Sequence, residues 1–207
     1  MRDMSTSPTH RAIDAVWRIE SARVIAGLAR MLRDLDLAEE LAQDALVVAL
    51  ETWPRDGVPD NPGAWLMTTA KRRAIDRLRR LQLLDRKHEE LARELDDAHE
   101  ERRERDQDAL DHDIDDDLLR LVFVSCHPLL SLEARVALTL RLLCGLTTDE
   151  IARAFLTSEP TVAQRIVRAK RTLADADVAF EVPRGDALQE RLASVLGVVY
   201  LVFNEGY

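Results

Sequence analysis

The chain has 207 residues, of which 46% are hydrophobic and only 4% aromatic, and its formal net charge is −9. This length can hold one large or two small domains with real cores. The two cysteines are too few for a disulfide framework. The N-terminus has no signal-peptide pattern, and no apolar run approaches the roughly 20 residues that span a bilayer. We therefore expect a mostly helical, soluble protein of the cytoplasm without a membrane segment.

The acidic excess is confined to one segment. Residues 85–117 contain 6 Lys or Arg and 16 Asp or Glu, a balance of −10, whereas residues 1–84 and 118–207 stand at +1 and zero. A segment with this charge density and few large apolar residues cannot bury a core. We therefore predict two compact domains, 8–84 and 118–178, joined by a solvated acidic linker at residues 85–117.

Three helices are predicted in the first domain. Apolar residues recur at three- and four-residue spacings from residue 13 to 32, and again from about residue 36 until the Pro- and Gly-rich stretch "TWPRDGVPDNPG" stops the helix. A third helix begins near Pro62 and carries "KRRAIDRLRR", with six bases and one acid. No alternating apolar pattern predicts a strand anywhere, so the expected fold class is all-α.

An aromatic residue and two hydroxyls stand just before this basic run, at Trp65, Thr68 and Thr69. Such a combination suits stacking on unpaired bases while the basic residues neutralise the strand. Trp65 is equally well explained as a core residue of the helical bundle. Both interpretations of Trp65 stay open from the sequence.

The second domain contains a candidate helix-turn-helix. Ser131 is a predicted N-cap, and Thr147 with Glu150 has the spacing of a capping box at the next helix. A turn follows at residues 156–158, and then a basic helix for which Ser158 is the predicted N-cap. Two short helices joined by a tight turn, the second of them basic, predict a helix-turn-helix.

The basic helix has two distinct faces. The apolar face, predicted to pack on the preceding helix, consists of Val162, Ile166, Ala169 and Leu173. The opposite face presents the side-chain types that read base edges and bind phosphates, namely Thr161, Gln164, Arg165, Arg168 and Arg171. An ordinary solvated Arg-rich face is the alternative. The capping box, the tight turn and the one-sided bases together favour DNA binding.

Motifs for catalysis are absent from the sequence. It has no phosphate-binding Gly loop, no His-Glu-x-x-His, no Cys-x-x-Cys and no Ser-centred nucleophile elbow. Cys126 beside His127 is a weak metal hint, because no further ligands follow at useful spacing. Cys126 and Cys144 both lie in apolar runs and are predicted core residues. We expect no enzymatic activity, no metal and no cofactor.

Three segments, in this order, resemble bacterial RNA polymerase sigma factors of the extracytoplasmic-function (ECF) group: "DLDLAEELAQDALVVALETW", "NPGAWLMTTAKRRAIDRLRR" and "LTTDEIARAFLTSEPTVAQRIVRAKRTL". The resemblance covers nearly all of the chain except the N-terminal tail and the acidic linker. In that family the first segment docks on the clamp helices of the polymerase's largest subunit, the second recognises and opens the promoter's −10 element, and the third reads the −35 element. The resemblance thus implies a promoter-specificity subunit whose partners are core RNA polymerase (clamp helices and flap) and promoter DNA.

The resemblance also implies three sets of site residues. Docking on core polymerase is implied for Glu39, Glu40, Gln43, Asp44 and Leu46. Contact with the −10 strand is implied for Asp56, Asn61, Trp65, Thr68, Thr69, Arg72 and Arg73. Contact with the −35 duplex is implied for Ser158, Glu159, Thr161, Arg165 and Arg168, to which the exposed helix face adds Gln164 and Arg171. Two positions depart from the family: Leu156 stands where many such turns have Gly, and Leu46 where an aromatic residue is common.

Residues 186–207 resemble the beginning of the C-terminal extension found in one sigma subgroup, where a helical-repeat domain follows, so the chain is expected to be truncated there. The alternative is a final helix that covers the second domain, with an exposed stripe of Leu192, Val195, Leu196, Val199 and Phe203. Regulation by that extension or by an anti-sigma factor is left open. Two rival functions also remain: a stand-alone dimeric helix-turn-helix regulator and a purely protein-binding helical module.

Overall fold

The computed structural model describes residues 8–90 and 114–204, with the side chains of residues 8–80 and 116–202. Within these ranges the chain forms eight α-helices and no strand, which confirms the all-α fold class. The helices are α1 (Pro8–Leu32), α2 (Leu35–Asp56), α3 (Pro62–Glu90), α4 (Ile114–Ser125), α5 (Leu132–Leu142), α6 (Thr148–Ala154), α7 (Glu159–Asp175) and α8 (Asp186–Asn204). Most of the predicted linker, residues 91–113, and the tail, residues 205–207, lie outside the described residues.

The first domain is a bundle of α1, α2 and α3, as predicted. Its core contains large apolar side chains from all three helices together with many alanines, including Ile13, Val24, Leu28, Leu41, Ala45, Trp53, Leu66 and Ala70. The small alanine side chains let the helix backbones approach each other. The Asp34 side chain caps α2 by accepting a hydrogen bond from the Leu37 N–H at 3.0 Å. The helices therefore lie where the sequence predicts them, and the apolar spacing and the Asp34 cap are the reasons.

The Pro- and Gly-rich stretch at residues 52–63 ends α2, as predicted. The helix runs through Pro54 and stops only after Asp56, where Gly57 adopts a φ of 86° and donates its N–H to the Trp53 carbonyl at 3.0 Å. Pro54 removes one helical hydrogen bond near the helix end, where that loss is small. Burial of Trp53, which is 2% exposed, holds the last turn against the core.

The second domain contains the predicted helix-turn-helix, formed by α6 and α7. All three predicted caps are confirmed: Ser131 accepts from the Ala134 N–H, Ser158 accepts from the Thr161 N–H, and Thr147 forms a complete capping box with Glu150. In that box the Glu150 carboxylate accepts from the Thr147 N–H at 2.9 Å.

The helices extend into the predicted linker from both sides. Helix α3 continues to Glu90 and α4 begins at Ile114. Asp117 is buried and forms ion pairs with Arg30 of α1 at 3.1 Å and with Arg120 of its own helix. The prediction of a solvated linker is therefore wrong for Asp117, because two guanidinium groups compensate the charge of its carboxylate inside the fold.

Helix α8 packs on α4 and α5, as expected for a final helix that covers the second domain. Val198 is buried, and so is Val195, which was predicted in the exposed stripe. The Arg135 guanidinium donates to the Ser194 hydroxyl at 2.8 Å and holds α8 against α5. The outer side of α8 exposes apolar side chains, namely Leu192, Leu196, Val199 and Tyr200.

The two predicted domains do not stand apart. Helix α4 packs along α1, and α5 also contacts α1. Most buried apolar residues of both domains belong to one continuous cluster, and a smaller second cluster lies between α4, α5 and α8. Ion pairs that join α1 and α2 to the helices from α4 onward accompany this contact, namely Arg18–Glu150, Arg30–Asp117, Arg141–Glu39, Lys170–Glu39 and Lys170–Asp36. Sequence composition gave no indication of this packing.

Candidate nucleic-acid and protein interface

The two faces of α7 are arranged as the sequence predicts. Val162, Ile166, Ala169 and Leu173 are buried, while Thr161, Gln164, Arg168 and Arg171 are exposed and Arg165 is half-buried. A groove of about 340 Å³ runs between α7 and the start of α5. Its rim includes Gln164, Arg165 and Arg168 of α7 and Ser131 of α5. The outward side chains of α7 therefore border an open surface concavity.

The first turn of α7 is fixed by hydrogen bonds among predicted site residues. The Ser158 and Thr161 hydroxyl oxygens lie 2.8 Å apart, and the Glu159 carboxylate accepts from the Thr148 hydroxyl at 2.9 Å. The second bond joins α7 to the start of α6. These polar side chains thus position the turn of the helix-turn-helix as well as lying on its surface.

The electrostatics of this face favour an anionic partner. No carboxylate among the described residues forms an ion pair with Arg165 or Arg168, while Arg171 forms only an exposed pair with Asp175 at 3.5 Å. Exposed pairs of this kind contribute little to stability. The pKa of the Glu133 carboxyl is lowered by its own backbone N–H, then by the Ser131 hydroxyl, with a smaller contribution from the Arg165 charge. Two guanidinium charges of α7 therefore remain available to phosphates.

The predicted −10 set lies on α3 and the loop before it. The side chain of Asn61 accepts a hydrogen bond from the Ala64 N–H at 3.1 Å and so caps α3. From there, positions 61, 65, 68 and 72 follow one another at three- and four-residue steps and share a helix face. Thr68 and Arg72 are exposed on it, and Trp65 is half-buried. Helix geometry thus places a polar-aromatic strip along α3.

Trp65 packs against the core as well as facing outward. Its ring meets that of Trp53 edge to face, with centroids 5.3 Å apart and an interplanar angle of 69°. This is a favoured geometry for aromatic pairs. The core interpretation of Trp65 therefore holds for its inner edge, and its half-exposed part leaves the stacking interpretation open.

The predicted docking set on α2 contains one residue that is covered in this conformation. Glu39 is buried, and its carboxylate accepts from Lys170 of α7 and from Arg141 of α5, each at 2.6 Å. The Gln43 amide also donates to Glu39, at 2.8 Å. Glu39 therefore faces the second domain, and Gln43 lies beside it on α2.

The rest of the docking set lies at or near the surface of α2. Glu40 is exposed, and Asp44 is half-buried and pairs with Arg73 of the −10 set at 3.2 Å. Leu46 is half-buried and packs against the core cluster. The Asp44–Arg73 pair links the docking set on α2 to the −10 set on α3.

The buried ion cluster keeps its charges despite desolvation. Burial raises the pKa of Glu39, but the charges and hydrogen bonds of Lys170 and Arg141 outweigh it and hold the pKa below its ordinary value. Burial likewise lowers the pKa of Lys170, and the carboxylates of Glu39 and Asp36 outweigh it and raise the pKa. Both partners are therefore ionised at neutral pH.

Sequence reasoning missed this cluster. Lys170 was assigned to neither face of α7, and Asp36 and Arg141 were not singled out. A signal was available: Lys170 follows the apolar position 169 and lies four residues after position 166, so it borders the buried stripe. This helical position at the edge of the packed face is where a basic side chain can turn inward toward a carboxylate.

Other site hypotheses find no support in the described ranges. Residues 8–90 and 114–204 contain no group of three His, Cys, Asp or Glu side chains that could hold a metal ion. Cys126 is buried, but Cys144 is exposed, so the prediction of two core cysteines is wrong for Cys144, which follows the last turn of α5. Among the described helices, none is both long and apolar enough to cross a membrane.

Two family models match the two helical domains of the chain. Residues 18–83 match Sigma-70 region 2, and residues 120–173 match Sigma-70, region 4. The chain belongs to the ECF sigma factors of the sigma-70 family. All predicted docking and −10 residues of this sigma factor lie inside the region 2 match, and all predicted −35 residues inside the region 4 match. We call the two domains region 2 and region 4 from here on.

Three relatives illustrate the likeness. An uncharacterized protein of Rhizobium meliloti (strain 1021) is 44% identical over 197 residues, which cover 89% of this chain and 43% of the relative. The ECF RNA polymerase sigma factor SigK of Mycobacterium sp. (strain KMS) is 39% identical over 72 residues, 33% of this chain and 36% of SigK. SigK of Mycobacterium ulcerans (strain Agy99) is 43% identical over 61 residues, 28% of this chain and 31% of that protein. The chain thus spans less than half of each relative's length. No solved structure matches it.

Proposed function

We propose that this sigma factor binds core RNA polymerase and directs promoter-specific transcription initiation by recognising −10 and −35 elements. The observation that carries the proposal is the pairing, within one chain, of a region 2 match and a region 4 match. The second contains a capped helix-turn-helix with unpaired arginines on its outer face. A helix-turn-helix alone would not distinguish a sigma factor from other DNA-binding proteins.

Recognition of the −35 duplex is assigned to α7. Its exposed face enters the major groove, where Arg165 or Arg168 donates two hydrogen bonds to the O6 and N7 of a guanine and the other binds phosphate. Gln164 and Thr161 reach neighbouring bases, and Glu159 accepts from a cytosine amino group. Ser158 and Arg171 lie at the two ends of this face and contact the backbone. Base contacts give sequence specificity, and phosphate contacts set the register.

Capture of the −10 strand is assigned to α3 and the loop that precedes it. The outward part of Trp65 stacks on an unpaired base, while Thr68 and Thr69 donate to the strand. Arg72 and Arg73 neutralise phosphates, and Asp56 and Asn61 border the strand from the loop. Because both domains belong to one chain, binding of one element raises the effective concentration of the other domain at its own element.

Docking on core polymerase is assigned to α2, with Glu39, Glu40, Gln43 and Asp44 as its polar contacts and Leu46 as its apolar one. The clamp helices of the largest subunit are the proposed partner of this helix, and the flap that of region 4. An anti-sigma factor, or a C-terminal extension continuing from α8, is a proposed regulator.

Reconstituted transcription tests the proposal. Core polymerase from the same bacterium is incubated with pooled genomic fragments, with and without the full chain, and transcript starts are sequenced. We expect new starts that share upstream elements only when the chain is present. Arg165→Ala should relax base preference at one −35 position by about 1–3 kcal/mol, roughly 5- to 150-fold. Arg153→Ala is the matched control, because Arg153 is exposed on α6 and already paired with Asp149.

The stand-alone dimeric regulator makes the opposite prediction. The exposed apolar side of α8 is the feature that would suit a dimer interface. Such a regulator would protect a palindromic site tightly without polymerase and would add no transcript starts to core enzyme. That combination of results would replace the sigma-factor proposal.

A further inference from the structure

The contact between region 2 and region 4 is built around a buried ionic cluster. Lys170 is 8% exposed, and its ammonium lies 2.6 Å from a carboxylate oxygen of Asp36 and 2.6 Å from one of Glu39. Arg141 binds the other oxygen of Glu39 from α5, also at 2.6 Å. We name these four residues, Asp36, Glu39, Arg141 and Lys170, the ionic latch. It joins α2 of region 2 to both α5 and α7 of region 4.

The latch has the geometry of a specific contact. Arg141 also donates to the Leu146 carbonyl at 3.2 Å, which orients its guanidinium toward Glu39. The buried ammonium of Lys170 has two carboxylate partners, so its desolvation is compensated. Desolvated pairs with such short contacts are far more sensitive to the loss of a partner than exposed pairs are.

Close backbone packing accompanies the latch. Gly145, in the loop after α5, lies against α1: a Cβ at this position would stand 3.0 Å from the Ser21 hydroxyl and 3.6 Å from the Arg18 Cα. Gly145 also has a φ of 66°, which side-chain-bearing residues rarely adopt. The loop can therefore approach α1 because the residue there is glycine. Next to it, Arg18 pairs with Glu150 of the capping box at 2.7 Å.

The latch covers part of the docking set and leaves the reading face open. Glu39 is turned toward region 4 and accepts a hydrogen bond from Gln43, whereas Arg165 and Arg168 border the open groove of α7. In this closed conformation the sigma factor exposes its −35 face but not its full polymerase-docking face. A partner protein that binds Glu39 must supply positively charged side chains in place of Lys170 and Arg141.

We infer that the ionic latch is an autoinhibitory contact, in which region 4 competes with core polymerase for Glu39 of region 2. The inference rests on the proposed function, because it takes Glu39 as a docking residue. Core polymerase opens the latch by offering its own basic side chains to Glu39. The measured affinity for core polymerase equals the affinity of the open conformation multiplied by the fraction of molecules that are open. Weakening the latch raises that fraction and therefore tightens binding.

A zero-length cross-link reports the closed state in the full chain. Carbodiimide activates a carboxyl of Asp36 or Glu39, the Lys170 amine attacks it, and an amide forms as the reagent leaves as a urea, having taken up the elements of water. The chain has only three lysines, at positions 71, 87 and 170, so the product is readily mapped by mass spectrometry. We expect peptides that join α2 to α7 in the free protein, and none when core polymerase is bound before the carbodiimide is added.

Lys170→Met tests the consequence for binding. Methionine keeps the length of the side chain, and Glu39 retains Arg141, so no buried carboxylate is left without a cation. The variant should bind core polymerase about tenfold or more tightly than wild type, and its radius of gyration by small-angle X-ray scattering should increase. Asp36→Asn removes one carboxylate partner of Lys170 and so weakens the latch from the region 2 side. This second variant is used for the same measurements if Lys170→Met does not fold. Arg23→Met is the charge-matched control, because among the described side chains Arg23 pairs only with Glu20 of its own helix.

The outcomes separate the inference from the proposed function. Retention of the cross-link in the complex with core polymerase would overturn the inference, and so would absence of the cross-link from the free protein. Affinity of Lys170→Met within twofold of wild type would also overturn it, while transcription could still support the sigma-factor proposal. If neither wild type nor variant binds core polymerase although the cross-link forms, the proposed function itself fails, and the inference fails with it.

Discussion

At Leu156 the turn of the helix-turn-helix has a φ of 50°, in the left-handed region, and the side chain is 95% exposed. This conformation costs a non-glycine residue about 1–2 kcal/mol. Leu156→Gly removes that cost. Glycine also has greater freedom in the unfolded chain, which offsets about 0.5–1 kcal/mol of the gain in stability. We expect a net stabilisation of about 0.5 kcal/mol in urea denaturation.

Leu156→Ala is the control for this prediction, because it keeps the strained backbone and removes only an exposed side chain. Its free energy of unfolding should stay close to that of wild type. A destabilised Leu156→Gly variant would contradict the account, since it would mean that the turn is not strained at this position. The sequence marked Leu156 as unusual, and the positive φ explains why glycine is common there.

Trp65 and Thr68 share a face of α3 but differ in burial. Trp65→Ala should lower the free energy of unfolding by about 2 kcal/mol, because it removes a half-buried ring and its edge-to-face contact with Trp53. Thr68→Ala should change it by less than about 0.5 kcal/mol, as exposed substitutions do. In transcription, Thr68→Ala should still weaken use of the promoter. Equal stability of the two variants would contradict the placement of Trp65.

At the scale of elements, the capping box is the clearest test of local structure. Thr147→Ala removes the side chain that accepts from the Glu150 N–H and should cost about 1 kcal/mol in urea denaturation. The short helix α6 has few other constraints, so its amide protons should exchange faster with solvent. A loss below about 0.3 kcal/mol would mean that packing against α7, and not the cap, fixes the start of α6.

Elements were predictable from the sequence where their determinants are local. A cap acts over three residues, so Ser131, Thr147 and Ser158 could be identified from spacing alone. The end of α2 was harder to predict, because the tertiary packing of Trp53 carries the helix past Pro54. The helical position of Lys170 at the edge of the packed face could be read from the sequence. Its ion pairs depend on carboxylates more than a hundred residues away in the chain, which no local pattern identifies.

At the scale of the whole molecule, the ionic latch makes stability depend on pH. The pKa of Glu39 is lower in the folded protein than its ordinary value of about 4.3. Its contribution to stability is therefore fully present above that value and is lost as pH falls through the lower folded pKa. The facing ammonium of Lys170 has a raised pKa, because the carboxylates of Glu39 and Asp36 outweigh its burial, so its contribution disappears only in strongly alkaline solution.

Glu39→Gln isolates this effect, since the uncharged amide resembles a protonated carboxyl. The free energy of unfolding of wild type should exceed that of Glu39→Gln near pH 7, and the difference should shrink toward zero below about pH 4. Chemical denaturation at a series of pH values measures it. A difference that stays constant from pH 7 to pH 3 would mean that Glu39 is not ionised within the latch.

The packing of region 2 on region 4 changes how the chain is understood. Composition divided it into two near-neutral domains and an acidic segment, and apolar spacing predicted the helices and the outward polar face of α7. It could not predict the contact between the domains, because a net charge near zero conceals the acidic residues of α2 that face basic residues of α5 and α7. Regions 2 and 4 therefore pack against each other and are not independent domains.

The most direct test of the central claim is permanganate reactivity of unpaired thymines, mapped by sequencing across genomic fragments of the same bacterium. We expect short reactive patches at −10 positions when core polymerase and this sigma factor are both present, and none with either one alone. It also predicts a shared −35 element upstream of these patches. Absence of such patches with folded full-length protein and active core enzyme would contradict the claim that this chain directs promoter opening.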